Sequence, residues 1–189
     1  MMKNYSSLLL AFATITLLFF TACKKDSFDF TLSYDGANVI APELPEGVYE
    51  SGALFPEGFS GNEAGNQLLE IEYYILQLPR TAELRVYSGG SNQPEKLIYS
   101  KAVTAEINQE SWNTHVLETP VILDGEDLWV MLNYQQTGLA RTLGCDDGAA
   151  VTNGDWHYDS FENEWLPLSE QSSIDINWNI RAKVNVPEE

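Results

Sequence analysis

From Ile174 to Val186 the chain reads IDINWNIRAKVNV, and apolar and polar residues alternate throughout. Ile174, Ile176, Trp178, Ile180, Ala182, Val184 and Val186 share one parity. Asp175, Asn177, Asn179, Arg181, Lys183 and Asn185 share the other. Successive side chains of a strand point to opposite faces, so this segment is expected to lay one face on a core and the other in water. The same period recurs upstream. LEIEYYI puts Leu69, Ile71, Tyr73 and Ile75 on one face, and AELRVY turns Leu84 and Val86 inward. EKLIYSKAVT, WNTHVLE and LWVMLNY add three strands; FDFTLSY, VYESGALF, TLGC, DWHY and EWLPL are weaker candidates. YDGAN, PEGFSGNEAGN, YSGGSNQPE, LDGED, CDDGAAVTNGD and SFENE separate them with turn-forming Gly, Asn, Asp and Pro. Beyond Phe20 no ten-residue window has the 3.6-residue period of an amphipathic helix. The expected fold is all-β: a single antiparallel β-sandwich, jelly-roll-like, of roughly ten strands over residues 28–187.

The front end follows different rules. Leu8 to Phe20 is an uncharged run behind Lys3, too short for the roughly 20 residues that span a membrane. Its length and basic front fit a secretory signal peptide over residues 1–22. Thr21 and Ala22 precede Cys23, with Phe20 where leucine is usual. This resembles the lipobox of bacterial lipoproteins, which implies that Cys23 is acylated and becomes the new N-terminus. Lys24 is not the aspartate of the inner-membrane retention signal. KKDSFD instead resembles the lysine-then-acid tag of surface lipoproteins in one group of Gram-negative gut and oral bacteria. The expectation is an outer-membrane lipoprotein, exposed at the cell surface, with residues 23–27 as a short lipid tether. Cys145 would then have no disulfide partner and is expected to be a buried small apolar residue.

Charge narrows the partners. After residues 1–22 are removed, nine Lys and Arg remain against 28 Asp and Glu, a net of −19. Such a surface repels phosphate backbones, so nucleic acid is excluded as a partner. It also repels anionic headgroups, so membrane attachment falls to the lipid.

Several segments in order, LSYDG, VYESGALFPEGF, AELRVYSGG with PEKLIYSKAVT, SWNTHVLETPVILDGEDLWVMLNY, LGCDDGAAVTNGDWHYDSFENEWLPL and NWNIRAKV, resemble one known module. It is the jelly-roll accessory module of surface and secreted proteins in the same bacterial group. There it follows extracellular peptidases or stands alone in lipoproteins. The resemblance spans about residues 28–186. It implies an accessory, adhesive or binding role and supplies no catalytic residue.

The residues themselves offer little catalysis. HExxH and G-x-S-x-G are both absent. His115 and His157 read as two partly exposed polar residues. Asp146, Asp147, Asp155 and Asp159, with Asn153, crowd one loop region and could supply hard oxygens to a structural Ca²⁺, without EF-hand spacing. The same residues also suit turn capping. Trp178 is inward by the alternation, whereas Trp129 and Met131 fall on the face opposite Leu128, Val130 and Leu132. Trp156, Tyr158 and Trp165 could form a sugar or peptide platform, or simply clamp a hairpin as cross-strand pairs. The expected function is a non-catalytic binding or adhesive module for glycan or extracellular protein, with Trp129, Trp156, Tyr158 and Trp165 as candidate contacts. The alternative is an accessory subunit docking through an apolar patch around Trp129 and Met131, and a hydrolase is the least favoured.

Overall fold

The computed structural model describes residues 28–188. The expected signal peptide, Cys23 and the expected tether lie outside the described residues. Ten strands form two antiparallel sheets, with one four-residue helix, α1 (Leu168–Gln171). The smaller sheet contains β1 (Phe30–Leu32), β10 (Ile180–Asn185), β3 (Gln67–Ile75) and β6 (Ser111–Ile122), in that order. The larger contains β5 (Lys96–Ala102), β4 (Thr81–Ser88), β7 (Leu128–Gln136), β2 (Gly47–Phe55), β8 (Trp156–Asp159) and β9 (Glu164–Pro167). The order 1-10-3-6 facing 2-7-4-5 is that of a jelly roll, in which the chain crosses between sheets at most connections. The hairpin β8–β9 interrupts the path from β7 to β10 and extends the larger sheet beyond β2.

The expected alternation holds along β4, where Ala82, Leu84, Val86 and Ser88 are buried and the residues between them are not. In β7, Leu128, Val130, Leu132 and Tyr134 join the core between the sheets. Trp178 and Cys145 are also core, 1% and 0% exposed. Burial pushes the Cys145 thiol up to about 12, reinforced by Asp146 and Asp147.

Three departures have physical causes. In β3 the register shifts between Leu68 and Glu70, so Leu68 and not Leu69 is buried beside Ile71, Tyr73 and Ile75. The alternating run at 174–186 is a strand only from Ile180 to Asn185. Its Asn177 and Asn179, expected in water, are 2% and 0% exposed. Asn177 donates to Asp146 Oδ2 at 3.1 Å, and Asn179 donates to Asp35 Oδ2 at 2.7 Å, so loops close over both amides. The histidines, read as partly exposed, are both buried: His115 at 6% and His157 at 2%. His115 Nε2 lies 2.6 Å from the Tyr99 hydroxyl.

His157 faces the core from β8, stacked on Tyr49 at 5.4 Å and on Trp178 at 6.0 Å. Its Nδ1 lies 2.8 Å from Ser51 Oγ. Burial holds its pKa down at about 4. The unfolded chain therefore takes the proton first, near its ordinary value of about 6.5, and stability falls as the pH drops from there toward about 4. This one group is expected to remove about 2 kcal/mol by pH ~5. Denaturant melts at neutral pH and at pH ~5 should show that loss, reduced in His157→Phe. Equal pH slopes in the two proteins would mean that the ring protonates inside the fold.

The ends of the domain lie together. β1 pairs with β10 at Phe30↔Val184 and Leu32↔Ala182. Beyond the ladder, Asp29 N–H donates to Asn185 Oδ1 at 3.0 Å, and Val186 N–H donates to Asp29 Oδ2 at 2.9 Å.

Candidate functional site: an aromatic groove beside the inserted hairpin

The outer face of the larger sheet carries a second apolar cluster. Leu54 of β2, Trp129 and Met131 of β7 and Trp156 of β8 are buried there, with Tyr87 and Trp165 packed against them. Strand parity puts them on this face, where the rings of Trp156 and Trp165 from the added hairpin pack against Trp129. Trp129 lies at the base, its ring 4.8 Å from Trp156 and 5.8 Å from Trp165, both edge-on. Gly52 makes the layer possible. It pairs with Met131 on one side and Trp156 on the other, and a Cβ there would lie 2.2 Å from Val130 O and 2.9 Å from Met131 Sδ.

This revises two expectations. Trp129 and Met131 are 0% exposed, so they form no docking patch and Trp129 offers no stacking face. Tyr158 and Trp165 are a direct cross-strand pair, with rings 5.2 Å apart, so the hairpin-clamping role is real. Both remain half-buried and keep some face toward solvent.

Above the cluster lies a groove of about 520 Å³, within the range of small-ligand sites. Trp156 and Trp165 form its apolar wall, and Asn153, Asp155, Ser169 and Glu170 add polar groups. Ser91 and Asn92 reach in from the β4–β5 turn. Each wall is pinned to the scaffold. Gly89 and Gly90 adopt φ of 81° and 87°, and Trp129 Nε1 donates to Gly90 O at 2.7 Å, fixing that turn. Leu54 N–H donates to Asn153 O at 3.0 Å, and Val151 N–H to Asn177 Oδ1 at 2.7 Å, fixing the loop before β8. Asp155 accepts from Ser169 N–H at 2.9 Å, which holds α1 against the groove. Pre-fixed walls lower the ordering cost of binding. Trp156, Trp165, Asn153 and Asp155 had been singled out in the sequence. Ser91, Asn92, Ser169 and Glu170 had not, because no local signal tells which turn will face the hairpin.

The four aspartates considered for Ca²⁺ are distributed over separate tasks. Asp146 accepts from Asn177 N–H at 2.8 Å and from Gly36 N–H at 3.0 Å, stapling two loops. Asp155 holds α1, and Asp159 accepts from Phe161 N–H at 2.7 Å within its own turn. Asp147 is exposed. Among the described residues, no three Asp, Glu, His or Cys side chains gather as a metal-binding group. Asp159 caps its own turn, whereas Asp146 and Asp155 tie together segments distant in sequence.

A serine and an imidazole do meet, at Ser51 and His157. Both are enclosed, at 0% and 2% exposure, and so cannot reach a substrate without opening the sandwich.

No family model matches the chain, and no curated protein matches it. Among solved structures it is similar to a clostridial cysteine protease, Cwp84, after propeptide cleavage, with a TM-score of 0.58 at 9% identity. The match covers 84% of this chain and 40% of the protease chain. At that identity the likeness is one of fold.

Proposed function

We propose that this domain is a glycan-binding module of a lipid-anchored surface protein, without catalysis of its own. The observation that carries the reading is the groove: two tryptophans beside hydrogen-bonding side chains from three segments, each fixed to the sandwich. Sugar rings present apolar faces that stack on indole and hydroxyls that need placed partners, which is the chemistry this wall offers. Docking on a neighbouring surface protein is the weaker reading, because the apolar residues it relied on are covered. The likeness to a cysteine protease adds nothing to the reading, since it covers under half of that chain and is one of fold.

The test is a glycan array probed with residues 26–189, followed by titration of hits against Trp165→Ala. Trp165 is half-buried on an edge strand, so its removal should leave the sandwich folded. The variant is expected to lose about tenfold to a hundredfold in affinity. A hit that Trp165→Ala leaves untouched would move the site elsewhere, and a blank array would remove the reading. Anchoring is tested separately. Incorporation of labelled palmitate into the full chain should vanish in Cys23→Ser, and labelling that persists would rule out that cysteine.

A further inference from the structure

The groove has a charge as well as a shape. Its lining contains the carboxylates of Asp155 and Glu170 and no lysine, arginine or histidine. A neighbouring depression shares Ser91 and Asn92 with it and adds Glu95. The chain's net charge of −18 adds a background of the same sign. The aromatic wall agrees in sense, because the face of an indole ring attracts cations.

We infer that the ligand is cationic: an amino sugar with a free ammonium, its ring on Trp165 and its charge beside Glu170. This rests on the glycan-binding reading above. The two carboxylates play different parts. Asp155 is 2% exposed and held by Ser169, so it contributes a fixed field at the base of the groove. Glu170 is exposed on the rim and supplies direct contact. A uronate or sialic acid would enter with no counter-charge to meet it. A neutral sugar would cover the carboxylates and return only hydroxyl donors. An ammonium returns charge-assisted hydrogen bonds, which are the stronger kind.

The experiment titrates the domain with a glucosamine oligosaccharide, its N-acetylated counterpart and a uronic-acid oligosaccharide, each against wild type, Glu170→Gln and Trp165→Ala. The free-amine sugar is expected to bind about tenfold or more tightly than the acetylated one. Glu170→Gln should lower affinity for the free-amine sugar far more than for the acetylated one and so remove most of that preference, and Trp165→Ala should weaken both. Equal, Trp165-dependent binding of amine and acetyl forms would preserve the glycan reading and overturn the charge inference. Preferential uronate binding would do the same. Amine binding indifferent to both substitutions would mean diffuse attraction to an acidic surface and would overturn the placement. Failure of every sugar would overturn both readings together.

Discussion

Trp129→Ala is expected to destabilise the domain by about 3–5 kcal/mol, the range for emptying a large buried aromatic site. Trp129 is 0% exposed and touches both other tryptophans of the outer cluster. Its loss leaves Trp156 and Trp165 over a void and frees Gly90 O from its indole donor. For a domain of this size the melting temperature should fall by roughly 10 °C. Ligand binding should fail as well, because the β4–β5 turn loses the bond that holds Ser91 and Asn92 at the groove. Thermal and denaturant melts decide the matter. A variant with wild-type stability that merely lost ligand would make Trp129 a contact residue after all.

Arg85→Met is expected to have the next largest effect, roughly 3 kcal/mol at neutral pH, the low end for breaking a buried pair because Arg85 is partly exposed. Glu50 of β2 is 3% exposed on the same outer face. It accepts from Arg85 at 2.8 Å, from the Tyr87 hydroxyl at 2.7 Å and from Asn133 at 3.1 Å. Desolvation nevertheless outweighs these partners and raises its pKa above the usual carboxylate range. A raised carboxyl pKa means that the fold binds the proton more tightly than the unfolded chain does. The cost of burying the charge is therefore fully present above the folded pKa and fades as the pH falls through it toward the unfolded value. Removing Arg85 should raise that pKa further, so the variant should be most damaged at neutral pH and approach wild type in acid. The double change with Glu50→Gln should recover part of the loss. Damage of equal size at every pH would assign Arg85 a packing role instead.

The folding class was legible because alternation is a local signal, clearest in β4 and β10. Trp178 and the β4 pattern followed from it directly, while the burial of Cys145 was expected from its having no disulfide partner. What escaped were features set by contacts between distant segments. The bulge that puts Leu68 in place of Leu69 depends on pairing with β6. Asn177 and Asn179 look like solvent-facing residues until the loops at Asp35 and Asp146 close over them. His157 reads as polar, yet the parity of a four-residue strand drives it between Tyr49 and Trp178. At the candidate site, aromatic content was visible and its layering was not. Only the added hairpin decides that Trp129 lies beneath and Trp165 on top. The acidic loop offered two readings, a shared ion or capping of backbone, and spacing alone did not say that Asp146, Asp155 and Asp159 accept from N–H groups of different segments while Asp147 is exposed.

The pairing of the first strand with the last has a modular consequence. With Asp29 and Val186 joined by a hydrogen bond, the chain enters and leaves the sandwich at almost one point. Such a unit can be spliced into a surface loop of another protein without prying its sheets apart, much as a bead is added to a string. It also means that a pull delivered through the N-terminal segment is borne first by a three-residue strand and not by the groove-bearing sheet. Tension on the N-terminal segment would peel β1 from β10 while the groove on the opposite sheet kept its shape.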